Sequence, residues 1–301
     1  MRLRSGAELI RGASSEKAQG SMKRKLLLGK RDDTLRAKKK VAVEKPSVIL
    51  LDIDGTTTPS SFVSNVLFPF VSENITTFLR TQKDGTGFER FREIVEAAEA
   101  DSGAEPAKLS LPMVAECVSK LTAQRSALPL LKTLQGEVYA WGYSTGELKG
   151  AVFEDVEVLL KLCQGKNILA ATYSSGSVNA QKLLFSHAQS VSSSGKAHAA
   201  EVVDLTPLIS EYFDGTVGSK IDSSSYRTIA ELLESNAKDY PRKIDNGAKI
   251  WFISDSEAEV DACNASGRMT GILIDRNLGQ SGSMHDVIGN FQPIITALHQ
   301  A

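Results

Sequence analysis

Residues 47–57 read Ser47-Val-Ile-Leu-Leu-Asp-Ile-Asp-Gly-Thr-Thr57. Val48, Ile49, Leu50 and Leu51 form an apolar run with no alternation, which suits a parallel strand buried on both faces. Asp52 and Asp54 follow at i and i+2, so their carboxylates leave the strand end on the same side. Gly55 then lets the chain turn sharply. Two like charges that close require a counter-cation, and a hard divalent ion such as Mg²⁺, held by oxygen, answers that need. One aspartate can attack phosphorus while its neighbour handles the leaving-group proton. An acidic turn after a strand also occurs as a plain surface loop, so the rest of the chain has to decide.

Runs of the same kind recur at Asn167–Tyr173, Lys249–Ser254 and Thr270–Ile274. Between and after them lie helical patterns. Val152–Gln164 sets Val152, Val156, Leu159, Leu160 and Cys163 on one face, and Val178–His187, Ser224–Glu234, Ala258–Ser266 and His285–His299 behave alike. Strands alternating with helices predict an α/β fold, a doubly wound Rossmann-like parallel sheet. The alternation breaks after the first strand. Val63–Gln82, Gly87–Glu99, Pro112–Leu121 and Leu128–Tyr143 read as successive helices. Residues 61–149 are therefore expected to form an inserted helical cap, with 47–60 and 150–301 as the α/β core. Gln189–Ala200 is small and polar and reads as a flexible surface loop.

The composition is that of a globular chain, with 42% hydrophobic and 24% charged residues among 301. It excludes a wholly disordered chain, a collagen-like fibre and a coiled-coil rod. No apolar run approaches the ~18 residues of a membrane span, so no membrane association is expected. Three scattered cysteines without a C-x-x-C argue against a disulfide scaffold or a cysteine zinc site and for a reducing compartment. The four histidines show no metal-ligand spacing.

The formal net charge of −1 hides an asymmetry. Residues 1–46 carry 14 Lys/Arg and 5 Asp/Glu, net +9, and the remaining 21 basic and 31 acidic residues give −10. The basic segment lacks apolar periodicity and is expected to be a disordered extension. A nuclear localisation signal, a nucleic-acid or acidic-partner arm, a transit peptide and a merely solvated extension all fit such a charge run. Its own acids, Glu8, Glu16, Asp32 and Asp33, speak against the transit peptide.

Further chemistry gathers at the other strand ends. Tyr173-Ser-Ser-Gly-Ser177 lies between a strand and a helix, where hydroxyls and free N–H groups make an anion cradle suited to phosphate. Ser177 also suits a plain helix N-cap. Lys220 in Gly218-Ser-Lys220 would ordinarily be a solvated surface group. It gains interest from its place before Ser254-Asp-Ser-Glu-Ala-Glu259, whose Asp255 ends a strand and can complete a hard-metal site. Glu259, one helical turn on, could orient Asp255 or Lys220. Glu257 is better read as favourable charge in a first helical turn.

Nucleophile aspartate, serine loop, lysine and metal-binding aspartate, in that order, resemble the haloacid dehalogenase (HAD) superfamily from about Ser47 to Ile274. Val48–Phe62 (VILLDIDGTTTPSSF), Leu67–Phe70 (LFPF), Leu131–Gly136 (LKTLQG), Tyr173–Phe185 (YSSGSVNAQKLLF), Phe213–Lys220 (FDGTVGSK) and Phe252–Asp255 (FISD) are similar to the enolase-phosphatase (acireductone synthase) family of methionine salvage. The resemblance implies one Mg²⁺ per subunit and 2,3-diketo-5-methylthiopentyl-1-phosphate as substrate, enolised and then dephosphorylated. It implies Asp52 as nucleophile and metal ligand, and Asp54 as general acid/base that also ligates the metal through its carbonyl. Ser174 and Ser175 would hold the substrate phosphate, Lys220 would stabilise charge there, and Asp255 would complete the metal site. Many members have Glu where this chain has Asp54, and Arg276–Gln280 lacks the proline-containing turn of the family.

A general HAD phosphatase for another small phosphate ester shares the same core. A nucleic-acid or scaffold protein on a degenerate core is opposed by the acidic globule and the intact Asp52, Asp54, Lys220 and Asp255 set. The expected protein is thus a monomeric cytoplasmic enzyme acting on a small phosphate ester, present in the nucleus as well if the basic segment is a localisation signal.

Overall fold

The computed structural model describes residues 45–81, 91–99, 109–192, 195–196, 201–236, 240, 244, 247–277, 283, 285 and 287–300. The expected disordered segment 1–46 lies outside the described residues, apart from Lys45 and Pro46.

The first strand, β1 (Val48–Leu51), is buried along its whole length and sits near the middle of a six-stranded sheet. It pairs in parallel with β3 (Leu169–Tyr173) on one side and β6 (Ile250–Ser254) on the other. β5 (Glu211–Phe213) extends the sheet beyond β3, while β7 (Thr270–Ile274) and the short β8 (Val287–Ile288) extend it beyond β6. All these pairings are parallel, so every strand carries its C-terminal end to the same edge. Chain order runs outward one way through β3 and β5, then returns to β6 and runs outward the other way. That reversal makes the edge at β1 a topological switch point, where open α/β sheets bind ligands.

The alternation of side chains explains the double burial of β1. Ile49 and Leu51 pack in one cluster with Val156, Leu159 and Leu160 of α5 (Glu154–Gly165) and Ile294 and Leu298 of α9 (Gln292–Gln300). Val48 and Leu50 face the opposite cluster, with Tyr226, Ile229 and Leu233 of α7 (Ser223–Ser235) and Cys263 of α8 (Glu257–Ala265). The sheet is doubly wound, as its sequence pattern predicts.

The segment after β1 is helical. A π-helical turn, Val63–Leu67, leads into α1 (Phe68–Thr81), followed by α2 (Arg92–Glu99), α3 (Leu111–Ala123) and α4 (Pro129–Thr145). These helices bury an apolar cluster of their own that includes Val71, Ile75, Ile94, Val118, Leu131 and Val138. The expected start of the second helix at Gly87 falls among undescribed residues.

Three expectations are corrected. The helix expected from Val152 begins at Glu154, because Gly150–Phe153 forms strand β2, paired in parallel with β4 (Ala188–Val191) in a separate two-stranded sheet. The buried Val152 and Phe153 stand in line with the apolar face of the following helix, so periodicity alone merges the two elements. Gln189–Val191, expected as flexible loop, completes β4, whose ends Ala188 and Val191 are buried. α6 (Val178–Ser186) leads into that strand. The last helix, expected from His285, begins only at Gln292. Val287 and Ile288 pair with Leu273 and Ile274 as β8, and the Asn290 side chain accepts from the Gln292 N–H at 2.9 Å. No helix among the described residues is long and apolar enough to cross a membrane.

Candidate active site

The register of the sheet gathers the candidate residues. Leu51 pairs with Thr172 and with Ile253, so Asp52, the β3 end at Ser174 and the β6 end at Asp255 emerge side by side. The Asp52 N–H donates to the Ile253 carbonyl at 2.9 Å, continuing the ladder to the C-terminal edge of the sheet. The chain then turns tightly. The N–H groups of Thr56, Thr57 and Thr58 all converge on the Ile53 carbonyl at 2.9–3.2 Å, and Gly55 adopts φ +77°.

Asp52 is almost wholly buried, at 3% exposure. Its Oδ1 accepts from Lys220 Nζ at 2.5 Å, and its Oδ2 lies 3.3 Å from the Thr56 hydroxyl and 3.4 Å from that of Ser254. Lys220 Nζ also meets Glu259 Oε2 at 2.7 Å, and Ser254 donates to the same oxygen at 2.7 Å. One ammonium thus faces two carboxylates, and the cluster carries one negative charge in excess. Burial first, then repulsion from Glu259 and Asp255, pushes Asp52 up to about 7 against the pull of Lys220. For Lys220, burial alone would lower the pKa. The charges of Asp52 and Glu259 outweigh it and hold the ammonium above its ordinary value.

Three hydroxyls explain why a lysine from a loop enters this cluster. Tyr173 donates to the Gly218 carbonyl at 3.0 Å, Ser225 to that of Ser219 at 2.8 Å and Tyr226 to that of Lys220 at 2.6 Å. The loop backbone is fixed at three consecutive residues. Lys220 Nζ also lies 5.9 Å from the Tyr173 ring centroid.

Asp54 is solvent-facing at the mouth of the crevice. Desolvation and then the charge of Asp52 raise it to about 6, a value at which a carboxyl can serve as acid and then as base near neutral pH. Asp255, half-buried, is also raised to about 6, by burial and by Glu259. A Cβ built on Gly55 would stand 1.9 Å from Asp255 Oδ2, so only glycine lets this carboxylate lie against the Asp54–Gly55 backbone. Among the described residues no three His, Cys, Asp or Glu side chains form a ready-made metal cage. The donor set that converges is two carboxylates, Asp52 and Asp255, with the 54–55 backbone beneath Asp255. All are oxygen donors, and burial first, then neighbouring carboxylates, raise both carboxyls, Asp52 to about 7 and Asp255 to about 6. That chemistry fits a hard divalent ion.

Ser174 and Ser175 occupy the loop between β3 and α6. The Ser174 N–H donates to the Phe213 carbonyl at 3.1 Å, and its hydroxyl accepts from the Gly176 N–H at 3.1 Å. Ser175 is exposed. Ser177 caps α6 by accepting from Ala180 N–H at 3.3 Å. The loop is braced from below by the buried Gln181, whose amide donates to the carbonyls of Gly176 and Phe213, each at 2.9 Å, and accepts from Thr172 at 2.7 Å. Gln181 stands in the YSSGSVNAQKLLF stretch, but nothing in its residue type distinguishes a loop brace from a surface amide. Tyr173, Ser225 and Tyr226 were missed for the same reason. Glu259 was legible as a partner for Lys220, and the structure brings them together.

A parallel sheet with its acids, serine loop and lysine gathered at the switch point defines a hydrolase of the HAD superfamily. No family profile matches the chain. Curated relatives do. It is 36% identical over 232 residues to the enolase-phosphatase E1 of Drosophila erecta, covering 75% of this chain and 82% of that one. With the enolase-phosphatase E1 of Thioalkalivibrio sulfidiphilus it shares 34% over 244 residues, 81% of this chain and 96% of the other. The UTR4 protein of Saccharomyces cerevisiae superposes with a TM-score of 0.63 at 28% identity, over 82% of this chain and 99% of that structure. The chain belongs to the enolase-phosphatase E1 family.

Proposed function

We propose that this protein is a Mg²⁺-dependent acireductone synthase, which enolises 2,3-diketo-5-methylthiopentyl-1-phosphate and then releases its phosphate. The buried contact of Asp52 with Lys220 at 2.5 Å is the observation that carries the reading. Asp52 attacks phosphorus, forming an aspartyl-phosphate as the phosphorus–oxygen bond of the ester breaks and that oxygen departs with the carbon skeleton. Asp54 gives its proton to that departing oxygen. It then takes a proton from the water that cleaves the aspartyl-phosphate, returning Asp52 and inorganic phosphate. Ser174, Ser175 and the N-terminal end of α6 hold the phosphate oxygens, and Lys220 offsets the charge that builds on them. Asp52, Asp255 and the Asp54 carbonyl would hold the Mg²⁺, whose charge would draw the phosphate into the crevice.

The enolase step needs a base for a carbon-bound proton and a cation beside the enediolate oxygen. Asp54 would be the base, and Lys220 with the metal would supply the positive charge. Residues 61–149 act as a cap, a role supported by their separate apolar cluster and by their insertion directly after the acidic turn. The acidic charge of residues 47–301 opposes nucleic-acid binding, and we place the enzyme in the cytoplasm as a monomer. Nuclear accumulation follows if the basic segment is read as a localisation signal.

The deciding experiment is single turnover of the diketone phosphate with Mg²⁺, following enol absorbance and phosphate release separately. Enol formation followed by phosphate release is the expected result. Phosphate release from simple esters with no enol from the diketone would leave a general HAD phosphatase.

A further inference from the structure

Arg276 belongs to none of the groups used above. It lies two residues beyond the end of β7, and its side chain is 7% exposed. The guanidinium lies between the rings of Phe153 and Phe291, 4.3 Å and 4.5 Å from their centroids. Nε and Nη2 both donate to the Thr56 carbonyl, at 3.0 Å and 2.7 Å. Nη1 donates to Asp155 Oδ2 at 2.7 Å, and the same oxygen accepts from the Phe291 N–H at 2.7 Å. The next residue of the loop, Thr57, accepts from the Phe153 N–H through its carbonyl at 2.9 Å.

A buried guanidinium is costly unless its charge and donors are answered. Here a carboxylate, two aromatic faces and a carbonyl answer them, and the carbonyl is that of the residue whose hydroxyl reaches Asp52 Oδ2. Only a planar fork can grip one oxygen twice while bonding a carboxylate with its third nitrogen.

We propose that Arg276, held by Asp155, is a positioning residue: it locks the Thr56 backbone so that the Thr56 hydroxyl fixes the Asp52 carboxylate for attack. This rests on the reading of Asp52 as nucleophile. Arg276 touches neither substrate nor reacting atoms and acts through Thr56. The rival account is that it only fastens the end of β7 to α5 and Phe291.

The test uses the full chain with Mg²⁺ and a simple phosphate ester, at a temperature where each variant is folded by circular dichroism. Arg276→Gln removes the fork. Arg276→Lys keeps the charge facing Asp155 but offers a single point donor, and it serves if the first variant fails to fold. Misplacing a reacting group by about 1 Å costs ~10²-fold, so kcat should fall by about that factor in Arg276→Gln with KM within about threefold. Arg276→Lys should recover only part of it. Thr56→Val cuts the same chain one link later, so the double variant should be no more than about threefold slower than the slower single variant. Effects that multiply would overturn the proposal. Hydrogen exchange reads the clamp without activity. The peptide covering residues 53–62 should exchange at least ~10-fold faster in Arg276→Gln, with β3 and β6 peptides unchanged. Unchanged exchange there would also overturn it. A wild-type protein with no turnover but this loop deprotected in the variant would sink the functional reading and leave the clamp standing.

Discussion

Asp255 Oδ2 occupies the space that a side chain on Gly55 would need: a Cβ there would lie 1.9 Å from that oxygen and 2.5 Å from Cγ. The turn after β1 and the end of β6 therefore share a surface with no room for a methyl group. Gly55 is also left-handed, at φ +77°. Gly55→Ala should lose about 1–2 kcal/mol from the backbone conformation alone. It should further lose most of the extra stability that Mg²⁺ confers, because the displaced Asp255 no longer faces the 54–55 backbone. Urea melts with and without MgCl₂ separate the two effects. A full Mg²⁺ increment in the variant would remove Asp255 from the metal site.

Asp52→Asn and Lys220→Met should both cripple turnover but differ in stability. The cluster holds one ammonium against two carboxylates, at 2.5 Å and 2.7 Å. Asp52→Asn leaves Lys220 and Glu259 as a balanced pair, so the variant should melt no lower than wild type while releasing less than a few per cent of the phosphate. Lys220→Met leaves two buried carboxylates without a cation and should destabilise strongly, by about 3–5 kcal/mol. Its rate should fall ~10²–10³-fold in both enolisation and dephosphorylation. Thermal melts at pH 7.5 beside single-turnover rates test the contrast.

Mg²⁺ should stabilise the protein more at high pH than at low. Asp52 and Asp255, whose carboxylates would hold the ion, are raised from 3.8 to about 7 and about 6 in the folded chain. Their raised values favour the protonated fold. The contribution is fully present below about pH 3.8 and is lost as pH rises through about 6 for Asp255 and about 7 for Asp52. A divalent cation binds the ionised forms and offsets that loss. The difference between urea midpoints with and without MgCl₂ should therefore be small at pH 5 and grow to a plateau by about pH 8. A difference independent of pH would show that these carboxylates do not hold the ion.

Asp54→Glu adds one methylene at the solvent-facing mouth of the crevice, where the side chain has room. Dephosphorylation should stay within about an order of magnitude, since the carboxylate is kept. Parallel progress curves for enol and phosphate show whether the longer side chain also speeds proton abstraction from carbon. A collapse of phosphate release would mean that Asp54 is held in a tighter geometry than its exposure indicates.

The long apolar runs were readable from the sequence because a strand buried on both faces has no polar positions to confuse it. Val48–Leu51 and Ile250–Ser254 are of that kind. The chain's short strands were not. Glu211–Phe213, buried only at Phe213, and the half-buried Val287–Ile288 are too brief to show a period. Gly150–Phe153 runs into a helix with the same apolar side inward. In the site, Asp52, Lys220 and Glu259 were legible from order and residue type. Tyr173, Tyr226, Gln181 and Arg276 act through side-chain hydrogen bonds to backbone carbonyls of neighbouring loops, and such bonds leave no pattern along the chain.

The central position of β1 has a consequence for how the chain is made. Val48 is synthesised before both of its partners, Leu169 and Ile250, which follow it roughly 120 and 200 residues later. At ribosomal speeds the strand waits ~10–40 s for its second neighbour. The helices of residues 68–145 can meanwhile gather their own local contacts, which close quickly. The strand that leads into Asp52 thus leaves the ribosome ahead of both its neighbours and is flanked on both sides only after β6 has followed. Its acids, the lysine loop and Asp255 come together only when the sheet closes, so no shorter nascent chain exposes a working hydrolytic centre.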